Sequence, residues 1–374
     1  MRVGIDARAY DWTGIGRYVQ NLLARLPLLH EDLELTVFIP RRYGREAAER
    51  PKTTVVPVSG SYYSLAEQTV FLAALLSHRV DLMHFPNFNA PIFYRRPVVV
   101  TVHDLTRFAF PGQKHRGRFH QWAYGRVFSS AVRNATRIIA VSEFTRRSLE
   151  KRFHAALGKT SVVYEGVEEE FFATSAGPRE DELEALRAQG ILRPYVLYVG
   201  LWMKHKNLPT LLEAFRLLKK SGYPGILVIT GTGRSWDEHP SELARAAGIA
   251  ESVYFPGRVR DEELRVLYRN ADALLFPSRS EGFGLPPLEA MASGTPVVAA
   301  SSGSLPEVLG DAALFADPKI PSDFAAAVRR LRDDPVLRTR MVAKGLTRAR
   351  QFSWKRCARE TYAVYAAAAR RVPL

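Results

Sequence analysis

The segment Ser280 to Val298 reads Ser-Glu-Gly-Phe-Gly-Leu-Pro-Pro-Leu-Glu-Ala-Met-Ala-Ser-Gly-Thr-Pro-Val-Val and gathers residue types suited to a charged, hydroxyl-rich ligand. Gly282 and Gly284 permit backbone conformations and close approaches denied to other residues. The amides of Phe283, Gly284 and Leu285 then open a helix, where unsatisfied N–H groups and the helix dipole favour an anion such as a diphosphate. Glu281 precedes the turn and Glu289 follows two helical turns later, with seven residues between them. Carboxylates accept hydrogen bonds from hydroxyls, which suits a sugar or a ribose. Taken singly, a helix-start charge and a surface carboxylate would explain both glutamates. The Gly-Phe-Gly-Leu-Pro setting favours the binding reading.

Such a turn needs a scaffold, and the chain alternates short β-branched runs with amphipathic stretches. Arg2–Ile5, Leu35–Ile39, Leu82–Phe85, Val98–Val102 and Ile138–Val141 read as strands. Between the first two, Val19, Leu22, Leu23 and Leu26 repeat at the spacing of one helix face. A polar stretch from Glu165 to Asp181, with Glu168-Glu169-Glu170 and Gly177-Pro178, interrupts the alternation. It resumes with strands at Tyr195–Val199, Ile226–Thr230, Val253–Phe255, Ala273–Phe276 and Pro296–Ala299. Helices are expected from Leu208, Ser241, Asp261, Leu285 and Ser322. The pattern predicts an α/β protein of two Rossmann-like domains facing each other across a cleft. Residues 1–170 form the first, residues 171–351 the second.

Bulk properties narrow the class. The 374 residues suit two domains, and 47% hydrophobic with 24% charged residues is globular composition. The single cysteine, Cys357, excludes an internal disulfide. No apolar export segment follows Met1, and stretches such as Thr69–Ser77 and Tyr362–Ala369 are about half of the roughly 20 residues a membrane span needs. A cytoplasmic location is expected. The formal charge is +15, and between Arg107 and Lys159 twelve basic residues face only Glu143 and Glu150. Such an excess fits either an anionic partner or a solvated arginine-rich surface.

With these motifs in place the chain resembles the retaining glycosyltransferases of the GT-B fold, family 4, with their Glu-x7-Glu signature. The resemblance implies that Glu281 contacts donor-sugar hydroxyls, Glu289 the nucleotide ribose, and the Gly282 to Leu285 amides the diphosphate. Tyr198-Val199-Gly200-Leu201-Trp202-Met203-Lys204-His205-Lys206-Asn207-Leu208 is similar to the family's strand, loop and Lys-Asn step into a helix. It gives Lys206 the role of phosphate cation. Leu201 and His205 stand where the family often has arginine, leaving Lys204 or His205 as a second cation. Gly14-Ile15-Gly16-Arg17-Tyr18 resembles the family's amino-terminal glycine loop near phosphate and acceptor, its glycines explained by a close backbone approach. His103, in Thr101-Val102-His103-Asp104-Leu105, matches a histidine close to the donor sugar. Gly231-Thr232-Gly233, after a strand, reads either as a phosphate or ribose turn or as a plain loop, and Phe255-Pro256-Gly257-Arg258-Val259 resembles the base-contacting loop, ending at Val259. The last helix, after Phe352-Ser353-Trp354, is expected to cross back to the first domain within residues 352–374.

These readings together predict transfer of a hexose from a nucleoside diphosphate sugar, with no cofactor. The absence of Asp-x-Asp and of a His-x3-His pair predicts metal-independent chemistry. Val141-Ser142-Glu143-Phe144-Thr145 and the whole-chain pattern resemble bacterial polysaccharide mannosyltransferases, which makes GDP-mannose the first donor candidate and glucose or another hexose the next. The acceptor is expected to be a saccharide or a lipid-linked sugar. Phe108, Phe110, Lys114, Arg116, Arg118, Phe119, Trp122, Tyr124, Arg126 and Phe128 interleave cations with aromatics and predict a peripheral contact with an anionic membrane, the alternative being that Phe119, Trp122 and Tyr124 belong to the core and the arginines are merely solvated. A hydrolysing nucleotide-sugar 2-epimerase of the same fold and a basic nucleic-acid-binding protein are the alternatives. The second lacks any helix-turn-helix, zinc or RNP signature, so no nucleic-acid partner is expected.

Overall fold

A computed structural model describes residues 1–59, 62, 64–110, 117–172, 179–233 and 239–370, without the side chains of residues 118–120. Lys114, Arg116 and Gly177-Pro178 therefore lie outside the described residues, as do the side chains of Arg118 and Phe119. The chain divides into two compact units, Met1–Gly166 with Ser353–Leu374, and Val167–Phe352.

Among the described residues the first unit is built on seven parallel strands: β1 Arg2–Asp6, β2 Glu34–Pro40, β3 Thr53–Val58, β4 Leu82–Phe85, β5 Val98–Val102, β6 Arg137–Ala140 and β7 Thr160–Val162. Their spatial order is β3-β2-β1-β4-β5-β6-β7. The central strands β4 and β5 are buried at every position, as expected of a parallel sheet covered on both faces. The helix Gly14–Leu29 buries Val19, Leu22, Leu23 and Leu26. The helix Trp354–Ala369 returns from the end of the chain to pack on it and on β4, β5 and β6.

The second unit has six parallel strands among its described residues: β8 Tyr195–Val199, β9 Ile226–Thr230, β10 Val253–Gly257, β11 Ala273–Phe276, β12 Val297–Ala300 and β13 Ala313–Ala316. Their order is β10-β9-β8-β11-β12-β13. Each sheet winds outward in both directions from one point, β1/β4 in the first and β8/β11 in the second. Beyond the carboxyl ends of the strands at such a reversal, chain leaving in opposite directions opens a crevice in which α/β proteins bind ligands.

Three strands escape the sequence pattern, β3, β7 and β13, and each lies at a sheet edge. Strand β3 carries Pro57, which only an edge tolerates because proline donates no ladder hydrogen bond. Strand β7 has three residues, and β13 is Ala-Leu-Phe-Ala, half of it poor in β-propensity.

Of the aromatic residues between Phe108 and Phe128, three turn inward rather than outward: Phe108, Tyr124 and Phe128. Phe128 is fully buried in the first unit's core, and Phe108 and Tyr124 pack against it, with the Phe108 and Tyr124 ring centroids 5.0 Å apart. Apolar rings gain more from that core than from solvent. Trp122, by contrast, is exposed, with the Arg126 guanidinium 5.7 Å from its ring centroid.

Candidate active site

In the second unit, β8 and β11 lie side by side at the reversal, so the loops that follow them meet. After β8 the chain makes a short turn, Lys204–Lys206, and Asn207 takes a left-handed conformation with φ 62°. The Asn207 amide side chain is buried and donates to the carbonyls of Pro277 (3.1 Å) and Pro318 (2.8 Å). The Arg279 amide donates to the His205 carbonyl at 2.7 Å. These bonds fasten the Lys206 turn to the loop after β11.

The result is an ion pair between Lys206 Nζ and Glu281 Oε1 at 2.6 Å, with both side chains largely shielded from water. Ser278 Oγ donates to the same carboxylate oxygen. The loop after β12 holds the Glu281 main chain, because Ser304 donates to the Glu281 carbonyl from its amide (3.2 Å) and its hydroxyl (3.1 Å). Ser302 Oγ reaches the Ser278 carbonyl at 2.6 Å.

Gly284 has φ 106°, and a Cβ there would stand 2.8 Å from the Leu305 side chain, so glycine is required. The helix Leu285–Ala292 starts at this point. Pro286 and Pro287 carry no N–H, so the amide donors at this helix start are those of Gly284 and Leu285. Phe283 is buried, with its ring 5.7 Å from that of Phe352. Glu289 is only 3% exposed and accepts a hydrogen bond from the Tyr268 hydroxyl at 3.0 Å.

Val259 is half-buried and follows β10. Gly231 ties that region to the end of β9 through an amide bond to the Gly257 carbonyl at 2.8 Å. Trp202 donates its amide to the Thr232 carbonyl at 3.0 Å. Its ring meets His239 edge-on at 4.8 Å and Phe255 at 6.0 Å. Lys204 is exposed and His205 half-buried.

The first unit carries its own group around β1, β4 and β5. Gly14 opens the helix after β1 with open space about its Cα. Gly16 is buried, and a Cβ on it would lie 2.6 Å from the Tyr10 carbonyl, so its missing side chain has a cause inside the unit. At the end of β5, His103 places Nδ1 2.9 Å from Glu165 Oε1 and Nε2 2.8 Å from the Pro86 carbonyl. A carbonyl can only accept, and an ionised carboxylate likewise, so this geometry takes up both N–H groups of an imidazolium. Burial works against that charge, but the hydrogen bond and charge of Glu165, then Pro86 and Asp104, raise the His103 pKa above its ordinary value. The neighbouring His84 is the opposite case. Burial, with a smaller contribution from His103, lowers its pKa to about 3. Its two nitrogens meet the Tyr365 hydroxyl (2.6 Å) and Thr101 Oγ1 (2.8 Å).

A pH signature follows. The raised His103 pKa contributes stability that is fully present below the unfolded value near 6.5 and is lost as pH rises through the folded value. Glu165→Gln should cost about 3–5 kcal/mol at about pH 6, as for a broken buried pair, and less at about pH 9. Urea unfolding at both pH values checks this; an equal loss at each would contradict the pairing.

Two family models match the chain, "Glycosyltransferase Family 4" over residues 12–171 and "Glycosyl transferases group 1" over residues 185–348. The O-antigen chain mannosyltransferase B of Escherichia coli is 30% identical over 375 residues, covering 95% of this chain and 96% of that protein. The chain is a family 4 glycosyltransferase. Its fold is that of solved GT-B enzymes. Sucrose-phosphate synthase from Thermosynechococcus elongatus superimposes with a TM-score of 0.78 at 20% identity over 98% of both chains. Anabaena HepE in complex with UDP-glucose gives 0.77 at 17% identity, over 98% of this chain and 100% of that one.

For this glycosyltransferase the sequence singles out Lys206, Glu281 and Glu289 but misses their supports, Ser278, Ser304 and Tyr268, together with Glu165 beside His103. Ser304 and Tyr268 lie more than twenty positions from the glutamates they support, and Ser278, though only three residues before Glu281, is a serine in a loop with no pattern of its own.

Proposed function

We propose that this glycosyltransferase moves a hexose, first of all mannose from GDP-mannose, to a hydroxyl of a saccharide or lipid-linked acceptor in cell-surface polysaccharide synthesis. The observation that carries the reading is the shielded Lys206–Glu281 pair beside a glycine-led helix start, a cation, a carboxylate and amide donors gathered at one sheet reversal. The near full-length similarity to an O-antigen mannosyltransferase supports mannose.

Retention at the anomeric carbon follows from the family resemblance and from a front-face displacement. The bond from the sugar C1 to the diphosphate oxygen breaks, the acceptor oxygen bonds C1 on the same face, and the acceptor proton passes to the leaving diphosphate. The protein contributes positioning and charge stabilisation. Lys206 and the Gly284 and Leu285 amides take up the charge that builds on the diphosphate, Glu281 receives sugar hydroxyls, Glu289 the ribose, and Val259 borders the base. His103 takes the role of the histidine that the family resemblance implies, its ring oriented by Glu165 and the Pro86 carbonyl. No cofactor enters, and the enzyme works at the inner face of the plasma membrane, where a lipid-linked acceptor is met.

Calorimetry with a panel of nucleotide sugars tests the donor. GDP-mannose should bind more tightly than UDP-glucose, and preference for a uridine donor would overturn the mannose assignment. Because Lys206 and the helix start carry the diphosphate charge, transfer should persist in excess EDTA. A strict manganese or magnesium requirement would defeat that part of the reading.

A further inference from the structure

The helical segment 65–77, Leu-Ala-Glu-Gln-Thr-Val-Phe-Leu-Ala-Ala-Leu-Leu-Ser, has one ionisable side chain, Glu67. A surface helix ordinarily turns its charge to water and its apolar stripe to the core. Here the charge is turned inward. Glu67 is 1% exposed, and its Oε1 lies 2.8 Å from Arg8 NH2. The Arg8 guanidinium also pairs with Asp6 at 2.8 Å and sits 3.7 Å from the centroid of the Phe71 ring. Phe71 and Leu75 are buried one and two turns beyond Glu67, so the three form a single inward stripe. The buried pair fixes the rotation of the helix about its axis. Leu65, Val70 and Leu76 are left outward, 85%, 57% and 46% exposed, with Thr69, Ala73 and Ser77 between them.

A second segment extends the same face. The Ile92 amide donates to Gln68 Oε1 at 2.8 Å, which lays residues 92–96 along the helix, and Phe93 beside it is 67% exposed. Arg96 donates to the carbonyls of Leu76 (2.9 Å) and His78 (2.7 Å) at the helix end. Arg79 and Arg95 are exposed at the margin, and none of these three arginines pairs with a carboxylate among the described residues. An uncharged apolar strip about 20 Å long, edged by arginines that meet no carboxylate among the described residues, Arg95 and Arg96 donating to backbone carbonyls instead, matches a bilayer with anionic head groups. It is far too short to span one.

We propose that the outward face of residues 65–77 with Phe93 is the surface by which this enzyme seats on an anionic membrane, Arg79 and Arg95 meeting the head groups. This locates the membrane contact of the reading above and rests on it. The face is distinct from the basic run between Arg107 and Arg126. Leu65, Val70, Leu76 and Phe93 enter the interface, and the buried Arg8–Glu67 pair holds them outward.

Sedimentation of the full chain with phosphatidylcholine vesicles, with and without phosphatidylglycerol, tests the surface. Wild type should sediment with the anionic vesicles, less so as salt rises. Replacing Leu65, Val70, Leu76 and Phe93 together by serine should weaken binding at least about tenfold. Arg79→Gln and Arg95→Gln should each weaken it about fivefold. Slow donor hydrolysis should stay at the wild-type rate in every variant, since none touches the donor residues. Wild-type binding that survives the serine variant but is lost when Lys114, Arg116 and Arg118 become glutamine would overturn this surface while leaving the membrane reading in place. Absence of wild-type binding at low salt would overturn both. Light scattering that finds a wild-type dimer converted to monomer by the serine variant, without vesicle binding, would assign the face to a second copy of the chain and overturn the proposal.

Discussion

Lys206→Ala should lower kcat/KM for the nucleotide sugar about a hundred-fold while the protein remains folded. Nζ lies 2.6 Å from Glu281 Oε1 in a largely shielded position, 5.5 Å from the Phe276 ring centroid. Loss of one charge-assisted hydrogen bond to the diphosphate costs about 1.5–3 kcal/mol, and the penalty grows as charge accumulates on the leaving group. The alanine also strips Glu281 of its cation and leaves it the Ser278 hydroxyl. Steady-state kinetics with a thermal-unfolding control measures the effect. Wild-type affinity for a nucleoside diphosphate in the folded variant would remove Lys206 from the phosphate site.

The two glutamates should separate cleanly. Glu289→Ala should weaken binding of the free nucleotide ten- to a hundred-fold, because a charge-assisted bond to ribose is lost. It also leaves the Tyr268 hydroxyl, buried beside the carboxylate, without that acceptor, so a stability loss of about 1–3 kcal/mol accompanies it. Tyr268→Phe controls for this by removing the phenol hydroxyl while keeping the carboxylate. Glu281→Ala should abolish transfer with nucleotide affinity equal to wild type or higher, since Lys206 is released from its carboxylate to meet the phosphate. Calorimetry with the nucleoside diphosphate alone decides. Identical behaviour of the two variants would dissolve the division between sugar and ribose.

The sequence makes the site's charged members visible and hides their supports, for a physical reason. Glu281, the Gly282 to Leu285 turn and Glu289 sit within one short run whose glycines and helix start announce a ligand-binding turn. The Lys206–Glu281 contact joins positions 75 apart, and His103–Glu165 positions 62 apart, so only the fold brings them together. Glu165 sits in a polar stretch that reads as a linker. The buried strands β4, β5, β8, β9 and β11 coincide with their apolar runs, because residues covered on both faces must be apolar. Edge strands such as β3 and β13 are under no such demand. The same limit applies to Leu65, Val70 and Leu76: composition makes their segment apolar, and the pairing of Glu67 with Arg8, 59 residues away, turns them outward.

The central claim is retaining transfer from a nucleoside diphosphate sugar. Its most direct test is proton NMR of the freshly formed product, with GDP-mannose as donor and a soluble saccharide as acceptor. The new glycosidic bond should carry the anomeric configuration of the donor and should form in the presence of EDTA. A product of inverted configuration, or no transfer from any nucleotide sugar by the folded enzyme, would contradict the account.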